Sequence, residues 1–358
     1  MFYRETGQFK TTYQADQAIF PIDQDRWVMT ATALIALVVL PLIIDDYWTS
    51  AIILPFLVYG MAAIGLNILT GYCGQVSLGT GGFMAVGGYS TYKLMTMFPE
   101  LSFILVVLFS GGITAAVGTL FGLPSLRIKG FYLAVATLAA QFFLVWLFNK
   151  VGWFFNYNAT GTITVTRSEV FGVLVTGPEA SNVARYYFCL IFLLVFALLA
   201  KNLVRGRVGR MWMAIRDMDI AAELIGIRPL HAKLSAFAVS SFYVGMAGSL
   251  YFAIWLGSAE VGEAFGIDQS FFVLFIIIIG GLGSILGSFL GTAFMVLLPV
   301  GLKNIMVGGL AFDAGTAKHI EIMILGALII FFLIVEPHGL ARLWQILKEK
   351  LRLWPFPY

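Results

Sequence analysis

Charge is what this sequence has least of: 11% of its 358 residues are Asp, Glu, Lys or Arg, while 60% are hydrophobic. A soluble domain of this length cannot hide that much apolar surface, so the composition excludes one and leaves an integral membrane protein. Cysteine is nearly absent. Cys73 and Cys189 fall in or beside different apolar runs, near opposite membrane faces in the topology drawn below, which argues against a disulfide. With 3 scattered histidines they make no metal site. No Gly-Lys dipeptide occurs, so no phosphate-binding loop is present to hold a nucleotide. The stretch up to Trp27 is polar and mixed in charge, without the short apolar core of a cleaved signal peptide. The net charge of +3 is small and the basic residues sit in loops, which sets orientation in a bilayer and does not imply nucleic acid.

What is present is a series of apolar runs, at Val28–Ile44, Tyr47–Leu69, Gly81–Phe98, Leu101–Pro124, Gly130–Phe148, Tyr186–Leu203, Leu234–Leu256, Ile267–Ile279, Ile285–Gly301 and Ile320–Val335. They predict an all-α polytopic membrane protein of about ten transmembrane helices. Basic residues gather in alternate links: Arg4, Lys10 and Arg26; Arg127 and Lys129; Lys201, Arg205, Arg207, Arg210, Arg216, Arg228 and Lys233; and Arg342, Lys348, Lys350 and Arg352 in the tail. The opposite links are acidic or sparse, with Asp45, Asp46, Glu100, Glu260, Glu263 and Asp268. The positive-inside rule then places both termini in the cytoplasm. The expected organisation is a cytoplasmic segment 1–27, a transmembrane domain 28–335 with an external loop 149–185 and a cytoplasmic loop 204–233, and a cytoplasmic tail 336–358. The external loop carries a stretch of strand character, Thr160–Thr166.

Ile267–Ile279 is short, roughly 20 Å at ~1.5 Å per residue, against a hydrocarbon layer of about 30 Å. Parity between the external Glu260 and Glu263 and the basic tail nevertheless requires it to be a crossing. Two glycine-rich breaks interrupt the helices, Gly71–Gly82 and Gly280–Ser284. Irregular backbone at membrane depth is tolerated only where protein or a water-filled cavity covers it. One such break in each half is the pattern of a translocation path between repeats. Spans two to five begin outside and spans seven to ten inside, so the halves have inverted topology. Tight packing through small residues is the alternative reading of the same glycines. Gln75 is read as lining the path; Ser77 and Asn67 either line it or bond between helices.

The mid-membrane parts of the runs hold no Asp, Glu, His or Arg; Lys93, Lys201, Asp268 and Glu321 lie near ends, where they can snorkel. Carriers driven by an ion gradient generally need an ionisable group at depth. Without one, and without a nucleotide site or a catalytic constellation, the bundle is either a passive pore or is driven by a partner. The place for a partner to act is the charged insert Gly209–Pro229, GRMWMAIRDMDIAAELIGIRP. Read as one helix, it aligns Met211, Ile215, Met218, Ala222 and Ile225 in an apolar stripe and Arg216, Asp219 and Glu223 on another face. Gly226 ends it and Pro229 forbids continuation.

AIRDMDIAAELIGIRPLHAKLSAFAVSS with the upstream GRMW resembles the cytoplasmic loop by which permeases of ABC importers dock into their ATPase subunits. GYCGQVSLGTGGFMAVGGY and IIGGLGSILGSFLG resemble two further signatures of one subgroup, the LivM-type permeases of branched-chain amino acid and amide uptake, over about Tyr47 to Val335. The opening MFYRETGQFKT also resembles one branch of that family. The resemblance implies a multi-pass subunit of the bacterial inner membrane, paired with a LivH-like sister permease. Two cytoplasmic ATPases would consume ATP and Mg, and a periplasmic substrate-binding protein would deliver the substrate. The chain itself would bind no cofactor and catalyse no reaction. It places Ile220, Ala221, Ala222, Glu223 and Gly226 in the ATPase-coupling loop, with Arg216 flanking it. Gly71, Gly74, Gln75, Ser77 and Gly79 fall in the first break, and Gly280, Gly281, Gly283 and Ser284 in the second.

Two departures bear on substrate: Thr80 stands where many members have His or Gln, and Asn158–Ile163 replaces a Thr-Gly-Gly-x-x-Gly stretch. Branched-chain or related amino acids are the expected substrate class, with urea or short amides as the alternative. Two rivals from other classes are a gradient-driven carrier, which would transport alone and stop with a protonophore, and a membrane scaffold, for which Glu223→Lys would leave uptake unchanged.

Overall fold

Apolar runs in a bilayer must satisfy their own backbone, and they do so here as helices. The computed structural model describes residues 11–12, 23–43, 45–125, 131–309, 312–336 and 338–353. Arg4, Lys10, Arg127 and Lys129, on which part of the orientation argument rests, lie outside them, as does most of segment 1–27. Among the described residues, 8 helices are long and apolar enough to cross a membrane: Asp46–Tyr72, Phe103–Leu123, Tyr132–Lys150, Asn182–Arg205, Pro229–Leu256, Val261–Gly280, Ile285–Gly309 and Gly315–Val335. The remaining two expected spans are helices as well. Arg26–Leu42 is a shorter apolar helix, and Thr80–Met97 is an 18-residue helix rich in Gly, Thr and Ser. That composition suits a helix surrounded by protein, and its first ten residues are almost all buried. The expected all-α polytopic fold is therefore what the chain adopts.

Two helices form the axis of the bundle. Asp46–Tyr72 is 89% buried over its apolar window and Pro229–Leu256 is 83% buried, against 11% for the peripheral Gly315–Val335. Each opens one of the two halves read from the sequence. Thr80–Met97 and Phe103–Ser125 pack on Pro229–Leu256 through small residues. A methyl group added at Gly87 would lie 2.1 Å from the Gly245 carbonyl oxygen, and one at Gly248 would lie 2.1 Å from that of Met84. Backbones approach this closely only where side chains vanish, which is how helices associate in lipid. Gly87 and Gly248 thus pack helix on helix.

The short span has a structural cause. Its regular helix, Ile267–Gly280, covers only part of the crossing, and the chain reaches it through the one-turn helix Val261–Ala264 and the irregular Phe265-Gly266. Val261, Ala264 and Phe265 are buried. Deep non-helical backbone is possible here because protein encloses it.

One end of the bundle carries a small lobe. Ile163–Thr164, within the stretch read as strand-like, pairs antiparallel with Ser258–Ala259, and Ser168–Val170 pairs with Val173–Thr176. Asn182 donates to Asp46 at 2.9 Å, and the Lys93 ammonium sits 4.2 Å over the Trp153 ring while bonding Asn156. The acidic links therefore share this end. The insert, the two breaks and the tail helix Gly339–Leu353 share the other.

Candidate functional site

Helix Leu54–Asn67 passes into a wider π turn, Ile68–Tyr72, before the backbone reverses at Gly74 with φ +72°. The reversal closes on itself: Gly74 N–H donates to the Thr70 carbonyl at 3.2 Å, Gln75 N–H to that of Leu69 at 3.1 Å, and the Thr70 hydroxyl to the Gln75 carbonyl at 3.1 Å. The second break turns through Gly281 and Gly283, with φ +118° and +74°, conformations that favour glycine. Ser284 then caps the next helix, its hydroxyl accepting from Gly287 N–H at 3.1 Å.

These two breaks touch. Asn67, fully buried, accepts from Gly283 N–H at 2.8 Å and donates to the Ser284 carbonyl and the Ser288 hydroxyl, each at 2.9 Å. One side chain at the end of the helix leading into the first break thus satisfies the opened backbone of the second. Gly71 presses on the same spot: an added methyl would lie 2.0 Å from Asn67 Oδ1 and 2.2 Å from Gly283 N. Of the two readings for Asn67, bonding between helices is the one realised.

The insert reaches into this contact. Arg207–Asp217 is a helix held to the bundle by the buried Trp212, whose indole N–H donates to Ser235 at 3.0 Å, and by Ile215. Gly209 is required because an added methyl would sit 1.9 Å from the Val204 carbonyl oxygen. At the far end of this helix, Arg216 Nη1 donates to the Gly71 carbonyl at 2.9 Å. Its side chain also covers a glycine of each break: methyl groups added at Gly74 and Gly283 would lie 2.9 Å from Cγ and 3.3 Å from Nη1, respectively. The remaining guanidinium edge pairs with Asp217, Nε and Nη2 each 2.9 Å from Oδ1. A single cation therefore bridges the insert to both breaks.

The single-helix reading of the insert needs correction. Met218 is extended, with φ −155° and ψ 99°, and separates Arg207–Asp217 from a second helix, Asp219–Leu224. The rotation disrupts the expected stripe: Ile215 and Ala222 are buried, but Met218 is 70% and Ile225 75% exposed. Nor do Arg216, Asp219 and Glu223 share a free face, because Arg216 turns to Gly71 and Asp219 lies 4.0 Å from Lys233. Glu223, Ala221 and Gly226 face outward. With Ile220 69% and Leu224 84% exposed, the short helix presents an apolar tip.

The rest of the predicted residues divide between packing and a second polar knot. Gly280 packs on Gly287, where an added methyl would meet the carbonyl oxygen at 2.0 Å. Gln75 and Ser77 are buried, and Gln75 Oε1 has no hydrogen-bond partner. Gly79 leads into the start of Thr80–Met97, where an added methyl would meet the Thr137 carbonyl at 2.7 Å. There Leu78 N–H donates to Thr137 Oγ1 at 2.9 Å and Gly81 N–H to Ser270 Oγ at 2.8 Å. Ser270 donates to Gln141 Oε1 at 3.0 Å; Gln141 Nε2 donates to the Phe265 carbonyl at 2.9 Å, and its Oε1 also accepts from Gly82 N–H. Sequence reasoning passed over Thr137, Gln141, Ser270 and Ser288 because it searched the spans for ionisable groups. A lone amide such as Gln141 in an apolar run was the available signal.

The family model for the permease component of branched-chain amino acid transport systems matches residues 48–333. The chain is 29% identical over 303 residues to the high-affinity branched-chain amino acid transport system permease protein LivM of Salmonella typhimurium, covering 79% of this chain and 68% of that one. The protein of that name from Escherichia coli matches with the same identity and coverage. The probable branched-chain amino acid transport permease protein LivM of Methanocaldococcus jannaschii is 24% identical over 326 residues, 81% of this chain and 92% of that one. No solved structure matches significantly.

Proposed function

The chain belongs to the family of permease components of branched-chain amino acid transport systems, and from that premise we propose that it moves branched-chain or related amino acids inward as the membrane subunit of an ATP-driven importer. It is a transport subunit and not an enzyme. It sits in the bacterial inner membrane with both termini and the insert in the cytoplasm. Cytoplasmic ATPases dock on the Asp219–Leu224 helix, a LivH-like sister permease completes the path, and a periplasmic binding protein supplies substrate at the opposite face. ATP and its Mg are used on the ATPases.

The observation that carries this reading is the Arg216 bridge. Arg207–Asp217 is packed on the bundle through Trp212 and ends in a guanidinium on the contact between the breaks. A push on the exposed tip of the insert is delivered there without an intervening flexible link longer than Met218. Irregular segments held by a few hydrogen bonds are where helices can reorient at modest cost, so alternating access is assigned to the breaks.

The test is reconstitution with the sister permease, both ATPases and the binding protein, and a cysteine placed at Leu224 for cross-linking. The expected result is a cross-link to the nucleotide-hydrolysing subunit and uptake that requires ATP. A cross-link found only from the periplasmic side, or uptake by this chain alone, overturns the reading. Binding assays on the periplasmic protein decide between amino acids and short amides.

A further inference from the structure

The tail helix Gly339–Leu353 follows the Gly315–Val335 span almost at once, so it begins where the bundle leaves the bilayer. It is fixed at its start. An added methyl at Gly339 would lie 2.6 Å from Gly281 N and 2.7 Å from the Ile279 carbonyl oxygen, and one at Gly281 would meet the His338 carbonyl oxygen at 2.7 Å. Ala341 is buried in the same contact. Beyond it, Leu343, Trp344 and Leu347 are 44%, 44% and 48% exposed and recur with Leu340 at helical spacing, forming one apolar stripe. Lys348 and Lys350 fall on either flank of that stripe by the same periodicity, whereas Arg342 lies on the opposite face, 3.8 Å from Glu336.

We propose that this helix lies in the membrane interface, with its stripe among the acyl chains and its lysines on anionic lipid headgroups, and so tethers the second glycine break to the bilayer surface. Three properties select a bilayer over a protein partner. The stripe starts at the membrane exit, Trp344 is the residue type enriched at headgroup depth, and the flanking charge is of the one sign that an anionic leaflet attracts. Each basic residue near such a surface is worth roughly five-fold in partition. The inference rests on the proposed orientation only for which leaflet the helix meets.

The test uses the full chain in vesicles, with Cys73→Ala and Cys189→Ala, and a nitroxide on Leu347→Cys or Glu349→Cys. In equal parts phosphatidylglycerol and phosphatidylcholine, the label at 347 should be several-fold more shielded from a polar relaxation agent than the label at 349. The difference should shrink in phosphatidylcholine alone and in a Lys348→Glu/Lys350→Glu variant. If the cysteine replacements prevent folding, quenching by brominated lipid is compared between the native chain and Trp344→Phe, the native chain losing more signal. Equal accessibility at the two positions, or no Trp344-dependent quenching, overturns the proposal. Shielding that appears only when ATPase subunits are added overturns it too and assigns the stripe to a protein. Label depth is read without transport, so failure here leaves the permease reading standing, and ATP-independent uptake would end that reading without touching this one.

Discussion

Asn67, Gly71 and Arg216 act as one unit, yet each is exposed to a different kind of damage. Gly71→Ala forces a methyl group to within 2.0 Å of Asn67 Oδ1 and 2.2 Å of Gly283 N, and backbone on one side cannot yield. The breaks must separate, at about 3 kcal/mol, which should lower the melting temperature in detergent and abolish uptake together. Gly226→Ala is the comparison for stability alone: φ is +89° but nothing stands within 4 Å, so only backbone strain of about 1–2 kcal/mol is incurred. Asn67→Ala leaves Gly283 N–H and the Ser284 carbonyl without their partner, for a loss on the order of 3 kcal/mol. Arg216→Ala is different in kind because the guanidinium is partly exposed and its removal empties no core. Protein level and melting should change little, whereas ATP-driven uptake should fall about ten- to a hundredfold, the worth of a charge-assisted hydrogen bond. Arg216→Lys should recover little, since an ammonium cannot reach Gly71 and Asp217 at once with the geometry of the planar fork. Retained coupling in Arg216→Ala, measured as uptake per ATP hydrolysed, would show that the bridge is ornamental.

At the scale of elements, local chemistry was legible and direction was not. Glycines at Gly74, Gly281 and Gly283 announced breaks, and Gly226 with Pro229 announced the end of the insert, because each is a backbone requirement of a single residue. That the two breaks meet each other was hidden, since it depends on Asn67 and Gly283 lying 216 positions apart. The insert shows the converse failure. Its apolar spacing fits an unbroken helix, but burying Ile215 and Ala222 on the bundle while turning Asp219 toward Lys233 is achieved only by an extended Met218. The result is an exposed tip of Ile220, Leu224 and Ile225 in place of a continuous stripe. These side chains contribute nothing to the fold where they stand. Leu224→Lys should therefore leave melting within about 0.5 kcal/mol of the parent while sharply reducing ATPase co-purification. Unchanged co-purification would move the docking surface elsewhere.

At the scale of the molecule, the question is where the energy enters. Among the described residues, the buried charged groups are Lys93 and Glu321, and both are engaged near helix ends, with Asn156 and with Lys318 at 2.6 Å. The polar groups deeper in the bundle, Asn67, Gln141, Ser270 and Ser288, are neutral and already bonded to backbone or to one another. A group that neither changes charge nor is free to change partner cannot relay a proton across the low-dielectric core. On the proposed function, motion of the breaks is driven through the Arg216 bridge from outside the membrane. In the reconstituted importer held at constant ATP, a protonophore should leave the initial uptake rate unchanged, while removing ATP should stop it. Uptake that collapses with the proton gradient at constant ATP would refute the placement of the motor in the cytosol.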